Sequence, residues 1–536
     1  MRGQKNVPVE FYLKSEKSHP DIFNNIEVDV IFTGPERDEW KVPAFWAGGD
    51  LFGVRFSAPE PGRYTWVSLC SDTKETGLHS RTGEAEVVPY EGANPLFKHG
   101  RVRCARTKRT FEHSDGTPFF WLADTWWMGL CKRLGWPEDI RMLAADRISK
   151  NFSVIQVVAG LYPDMPAFDQ RGANEAGFPW EKDYARINPA YFDMADLRLE
   201  WLVRAGLVPC IVGCWAYFLP WMGIEKMKKH WRNIVARYGA YPVVWCLAGE
   251  GAMPYYLSKD KEKDIEVQKK GWTELARYVR SIDPFHNLIT IHPTNNARDQ
   301  VEDPSVLDFE MMQTGHSDRQ SLGNTVTSVT DAYKREPVMP VLVGEVCYEG
   351  IGEACRQEVQ RLMFWASVLN GSCGHTYGAN GVWQVNTKGK PYGPSPHGMS
   401  YGNVAWEDAY QLPGSGQLGL AKKFLERFEW WRFEPHPEWV KPAWTKENPC
   451  APYAAGIPGE ARVVYSPLPW GVPEVRGLEI GVRYKSALFN PVNGEITDIG
   501  PVNADENGDC VPPLGNDPWR VMPVFQDWVI FLERIR

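Results

Sequence analysis

Between residues 119 and 378 the chain carries eight short apolar runs, and longer stretches of helical period separate them. The runs are FFWLAD (119 to 124), FSVIQVVAG (152 to 160), LVPCIVGCW (207 to 215), PVVWCLAGE (242 to 250), NLITIHP (287 to 293), VLDFEMMQ (306 to 313), MPVLVGE (339 to 345) and GSCGHTYG (371 to 378). Most are apolar at nearly every position instead of alternate ones, so strands built from them need cover on both faces. A parallel sheet with crossover helices supplies that cover. The intervening stretches fit the role. In EACRQEVQRLMFWASVLNG, Val359, Leu362, Met363, Ala366 and Leu369 share one helix face, and MGIEKMKKHWRNIVARYG and GQLGLAKKFLERFEWW read the same way. Eight such units close on themselves, which predicts an α/β fold built on a (β/α)8 TIM barrel.

The flanks follow a different grammar. Residues 1 to 90 hold short alternating runs such as VEFYLKS, IEVDVIFTGP and GEAEVVPY between Pro and Gly turns, which predicts an N-terminal β-sandwich. GANPLFKHG then reads as a linker, and the barrel occupies 91 to 431. From 432 to 536 strand-and-turn patterning returns, with Asn493-Gly494 as a hairpin signal, and predicts a small C-terminal β-sandwich.

Composition excludes several classes of function. A formal net charge of -8 offers no basic face for a nucleic-acid backbone. No run approaches the roughly 18 apolar residues of a membrane span, and the opening MRGQKNVPVEFYLKSEKSHPDIF has no apolar leader core, so a cytoplasmic location is expected. The eleven cysteines form no C-x-x-C and several lie inside apolar runs, as buried free thiols do in a reducing compartment. The 24 tryptophans exceed ordinary packing needs, and carbohydrate surfaces are one use for them.

The active sites of such barrels lie at the C-terminal strand ends. The fourth run ends in Gly249-Glu250 and the seventh in Gly344-Glu345. A glycine before each acid is expected to let the backbone turn and leave the carboxylate at the rim. Two carboxylates across a barrel mouth can flank one glycosidic bond, one protonating the leaving oxygen and the other attacking the anomeric carbon. A separation of about 5 to 5.5 Å implies retention and about 6.5 to 9.5 Å inversion.

RTFEHSDGTPFFWLADTWWMGL resembles the opening of the apiosidase-like glycoside hydrolase barrel, and FSVIQV, MMQTGH and GEVCYEG resemble its second, sixth and seventh strands. GANGVWQV and PGSGQLG fit its closing loops, and the N-terminal segment is similar to the small sandwich that often precedes it. The fourth strand departs, ending Ala248-Gly249-Glu250 where the family commonly has Gly-Gly-Asp. The resemblance implies Glu250 as general acid/base and Glu345 as nucleophile of an exo-acting retaining hydrolase on small soluble glycosides, a furanoside among them.

Around that pair, Asp124 is expected either to bind sugar hydroxyls or to cap the next helix, and one of Trp126 and Trp127 to line the floor while the other packs in the core. Gln156 is expected to point into the barrel, and His316 to donate to the sugar or to Glu345. Tyr348 follows the nucleophile candidate and Tyr377 ends the eighth strand. Trp215, Tyr217, Trp383 and Trp406 offer stacking surfaces. His292, His375 and His397 rank lower, and without an H-x-H after the first strand or an H-E-x-x-H no metal or other cofactor is implied. GSGQLG at 414 to 419 matches G-x-G-x-x-G but follows Pro413 and a polar loop, so it reads as a turn opening the last helix. The partner expected is a small carbohydrate, and self-association into a homo-oligomer is compatible with all of this. Two readings compete: a non-catalytic carbohydrate-binding barrel and a metal-dependent hydrolase.

Overall fold

The computed structural model describes residues 1–469, 471–514 and 522–535. Eight parallel strands form the central sheet: β1 (Trp121–Thr125), β2 (Val154–Val158), β3 (Val208–Val212), β4 (Val244–Cys246), β5 (Ile289–Thr290), β6 (Glu310–Gln313), β7 (Val341–Glu345) and β8 (Ser372–Tyr377). Their hydrogen-bonded order runs from β5 back through β1 to β8, β7 and β6. Each of the eight apolar runs contributes one strand. The seam between β5 and β6 is joined by Asp308 N–H donating to Ile289 O at 2.8 Å and Thr290 Oγ1 to Phe309 O at 3.0 Å. The sheet is therefore a near-closed barrel.

Seven long helices wrap it: α1 (Glu138–Ser149), α2 (Pro189–Arg204), α3 (Ile224–Tyr238), α4 (Lys261–Ile282), α5 (Ser321–Lys334), α6 (Gln357–Val368) and α7 (Pro413–Leu425). The unit after β5 departs from the expected repeat, because only 3-10 turns at Ala297–Gln300 and Pro304–Val306 link it to β6. The segment TNNARDQVEDPSV has too few apolar positions at helical spacing to cover a strand, and Pro304 interrupts it. No helix among the described residues is long and apolar enough to cross a membrane.

The N-terminal segment forms a five-stranded and a three-stranded sheet, with Val28, Val30, Phe32, Val54 and Phe56 buried between them. Phe32 and Phe56 stack across the two sheets with centroids 4.0 Å apart. GANPLFKHG, expected as a linker, holds a short helix, Pro95–His99: Asn94 caps it through Leu96 N–H, and Leu96 and Phe97 are buried. Arg55 ties this segment to the barrel, donating to Asp196 Oδ2 on α2 at 2.6 Å and to Arg237 O on α3 at 2.8 Å. At the C-terminal end a six-stranded sheet carries the hairpin of Arg483–Phe489 and Ile496–Asn503, which turns through Asn493-Gly494. Its inner face packs on α6 and α7: Phe489 stacks on Phe424, and Arg361 pairs with Asp527 at 2.6 Å.

The glycines of 414 to 419 lie inside α7 rather than in a phosphate-binding loop. A Cβ on Gly414 would meet Glu349 Oε2 at 2.4 Å, and one on Gly419 would meet Lys150 O at 2.0 Å, so α7 sits with its backbone pressed on the end of α1. Gly419→Ala is expected to cost about 1–3 kcal/mol by overpacking a backbone carbonyl that cannot retreat. Urea denaturation checks this, and an unchanged midpoint would show that α7 can lift away.

Candidate active site

Beyond Cys246 the pairing of β4 with the β3 side continues to Gly249, whose N–H donates to Cys214 O at 2.9 Å and whose carbonyl accepts from Ala216 N at 3.0 Å. Glu250 follows in the left-handed region at φ +47°. The tight turn expected of the glycine thus falls on the glutamate itself, at about 1–3 kcal/mol of local strain. Gly249 and Gly344 serve a different need, close packing. A Cβ on Gly249 would meet the Trp215 ring at 2.2 Å, and one on Gly344 would meet Met311 Cγ at 2.4 Å.

Glu345 ends β7 and pairs in register with Gln313 at the end of β6, just past a shift in the ladder at Met312 and Gln313. Residues opposed in a ladder share a face, so the Gln313 amide lies beside the acid. Its Nε2 donates to Glu345 Oε1 at 3.1 Å and to Glu250 Oε1 at 3.2 Å. One amide nitrogen carries two protons, so both bonds form together. The two Oε1 atoms are therefore no further apart than about 6.3 Å, the sum of those bonds. Trp215 Nε1 also donates to Glu250 Oε2, at 3.3 Å.

Two histidines address Glu345. His316 Nε2 bonds Oε1 at 2.7 Å, and His292 Nε2 lies 3.1 Å from Oε2. Each ring takes a long backbone N–H bond on Nδ1, from Tyr348 at 3.4 Å and from Glu250 at 3.5 Å respectively. An accepting Nδ1 leaves the proton of a neutral ring on Nε2, so His316 donates to Glu345, while His292 brings its Nε2 close to the other oxygen without the angle of a hydrogen bond.

The surroundings split the two acids. Burial alone would raise Glu345, but the N–H groups of His292 and His316 overcome it and hold the carboxylate well below its usual range. Glu250 has burial and then the charge of Glu345 against it, and is pushed up to about 7. For His316, burial opposes protonation, yet the bond to Glu345 and its charge raise the imidazole above its ordinary value.

The pair sits on a cavity of about 470 Å³ at the barrel mouth, with aromatic walls from Trp127, Trp215, Tyr348 and Trp383. His316 lines it as well. Trp127 donates to the Tyr348 hydroxyl at 2.7 Å and meets Trp215 edge-on. Asp164, Tyr256 and Tyr401 line the cavity too. Burial raises the Asp164 carboxyl, although the Tyr256 hydroxyl donates to it at 2.7 Å.

Six candidate binding residues lie elsewhere. Asp124 is wholly buried and accepts from Arg147 Nε at 2.6 Å and from Trp126 Nε1 at 2.7 Å, so it neither faces the cavity nor caps α1. Trp126 is engaged with it behind the wall. Tyr377 donates to Glu349 Oε2 at 2.5 Å, in the interior between β8 and α7. Gln156 does point inward, but it donates to Gly344 O at 2.9 Å beneath Glu345 and does not reach the cavity. Tyr217 bonds Tyr162 O and Trp406 packs on Tyr410, both off the cavity. His375 is buried in β8 and His397 stacks on Tyr256. Sequence reading missed Gln313 and Asp164 and underrated His292. Gln313 had a signal, a polar side chain closing an apolar strand. For Asp164 the hint was the length of the loop from 159 to 188. Among the described residues no group of three or more His, Cys, Asp or Glu side chains is placed to hold a metal ion.

A barrel with two glutamates at strand ends four and seven defines the class, a glycosidase. The family model of the apiosidase-like catalytic domain matches residues 105–432, and the chain belongs to that family. A domain of unknown function, DUF5060, matches residues 4–71. Two solved structures from Bacteroides vulgatus are similar in fold. A family 5 glycoside hydrolase has 21% identity and a TM-score of 0.67 over 83% of this chain and 94% of its own. A second glycoside hydrolase has 15% identity and a TM-score of 0.71 over the whole of both chains. Another structure, described as a glycoside hydrolase, has 21% identity and a TM-score of 0.67 over 83% of this chain and 98% of its own. No curated protein matches the chain.

The placement of Asp124 is directly testable. Asp124→Ala removes the partner of Arg147 Nε and leaves the guanidinium only Asp146 and the Tyr410 carbonyl, which should cost about 1–3 kcal/mol in chemical denaturation, with the KM of a hydrolysed glycoside unchanged. A raised KM at full stability would return Asp124 to the binding site.

Proposed function

We propose that the protein is an exo-acting retaining glycoside hydrolase that removes a terminal sugar, a furanoside included, from small glycosides, with Glu345 as nucleophile and Glu250 as general acid/base. The observation that carries this is the single Gln313 amide bonded to both carboxylates. Two bonds from one trigonal nitrogen bring the oxygens closer than their summed length, which favours the roughly 5 to 5.5 Å of retaining enzymes over the roughly 6.5 to 9.5 Å of inverting ones. The small cavity, with Asp164, Tyr256 and Tyr401 in its lining, suits a terminal sugar better than the middle of a polymer. Eleven free cysteines are consistent with a reducing compartment and imported substrates.

The charges suit each step. In the first, the Glu345 carboxylate attacks the anomeric carbon as the Glu250 carboxyl passes its proton to the departing oxygen. The ester so formed removes the negative charge that had raised Glu250, whose proton affinity then falls. Glu250, now a carboxylate, takes a proton from water as that water attacks the anomeric carbon. The sugar leaves, Glu345 regains its charge, and one water has been consumed.

Glu250→Gln and Glu345→Gln should each lower kcat by about 10²–10⁴-fold or more with the fold intact, and azide should restore turnover to Glu345→Gly by taking the place of the nucleophile. Near-normal turnover in either glutamine variant, measured on a panel of nitrophenyl furanosides and pyranosides, would refute the assignment.

The pH dependence follows from the split acids. Glu345 stays ionised throughout the working range, so no acid limb from it is expected above about pH 4. Glu250 must be protonated, so kcat/KM should fall as pH rises through about 7, approaching tenfold per unit. A profile still rising from pH 7 to 9 would contradict the roles.

A further inference from the structure

The lining made by Asp164, Tyr256 and Tyr401 has no part in the bond-breaking steps, and its composition is informative. Asp164 stands on the loop after β2 at φ +54° and is only 6% exposed, yet it lines the same cavity as Glu250 and Glu345. The Tyr256 hydroxyl donates to its Oδ1, and the Tyr401 hydroxyl is its second partner. Both tyrosines are themselves fixed. Tyr256 stacks on His397 at 4.1 Å, and Tyr401 meets Trp383 edge-on at 5.3 Å while Asn380 Nδ2 donates to its carbonyl at 2.6 Å.

A buried carboxylate ordinarily has a cation beside it. No lysine or arginine is among the described residues lining the cavity, and the groups whose charge reaches Asp164 from behind it, Arg171 and His397, make no hydrogen bond to it. Arg171, which stacks on Tyr392, is bound to Asp169 and to the carbonyls of Tyr392 and Pro394. An asparagine oxygen could still accept from Tyr256, so that bond does not by itself explain a charge here. An ionised carboxylate has about four acceptor sites and no donor, which leaves capacity for hydroxyl groups and none for anions.

We infer that Asp164 is the specificity-determining residue of this cavity: it accepts hydroxyls of a neutral sugar and, with Glu250 and Glu345, excludes sugars bearing a carboxylate or a sulfate. The inference rests on the glycosidase reading of the same site. Hydrogen bonds to a fixed carboxylate are stronger than neutral ones and fix the orientation of the sugar, while an anionic substituent would enter a hollow whose lining, among the described residues, holds three carboxyl side chains and no lysine or arginine.

Binding separates this inference from catalysis. Glu250→Gln protein is titrated calorimetrically with neutral pentoses and hexoses and with the matching uronic acids, before and after adding Asp164→Asn. Expected are binding of a neutral sugar, at least about tenfold weaker binding of its uronic acid, and a loss of about tenfold for the neutral sugar with Asp164→Asn that narrows the gap between the two. A second readout is the pH profile of Asp164→Asn on the wild-type background. With one charge fewer near Glu250, the alkaline limb should move to lower pH, which a merely structural role would not produce. Uronic acids bound as tightly as neutral sugars, no sugar bound at all, or neutral affinity untouched by Asp164→Asn would overturn the inference. The comparison of sugars without the substitution stands even if that variant does not fold. The catalytic reading is judged apart, by turnover in the glutamine variants of Glu250 and Glu345.

Discussion

One carboxylate kept charged in a buried place organises this site. Glu345 receives N–H groups from His316 and Gln313, and the His292 ring stands 3.1 Å from its other oxygen. Without them burial would drive it to the neutral form, as burial does to Glu250. With them its charge becomes the field that keeps a proton on Glu250. The protonated and the ionised carboxyl are thus two outcomes of one electrostatic arrangement rather than two independently tuned groups.

The barrel is what makes the arrangement rigid. The register of β6 against β7 sets Gln313 opposite Glu345, and the extension of β4 pairing to Gly249 delivers Glu250 to the same amide. Close packing holds each strand end in place, with Trp215 against the backbone of Gly249 and Met311 against that of Gly344. Gln156 adds a bond across the interior to Gly344 O, directly before the nucleophile candidate. Met311 and Gln156 lie outside the cavity lining and Trp215 also forms part of its wall, and together they fix the positions that proximity effects require to within a fraction of an ångström.

The strands and most helices were legible because doubly covered strands and amphipathic helices have distinct periods, and the fifth helix failed where its segment lacks that period. Glu250 and Glu345 were legible as acids closing apolar runs. The same pattern misled for Asp124 and Tyr377. A strand apolar on both faces does not reveal which of its positions look into the barrel, and these two turn toward Arg147 and Glu349 instead. Gln313 escaped notice because its place depends on a one-residue shift in the β6–β7 ladder, which no local pattern encodes. Asp164 lies in a loop, where periodicity says nothing.

The central claim is that these two acids hold opposite protonation states in the resting protein. Carbon-13 NMR titration of the glutamate side-chain carboxyls, assigned through Glu250→Gln and Glu345→Gln, measures this directly. Glu250 should titrate near pH 7 and Glu345 should remain ionised down to the most acid pH at which the fold survives. Two ordinary carboxylates, both titrating near pH 4, would contradict the account.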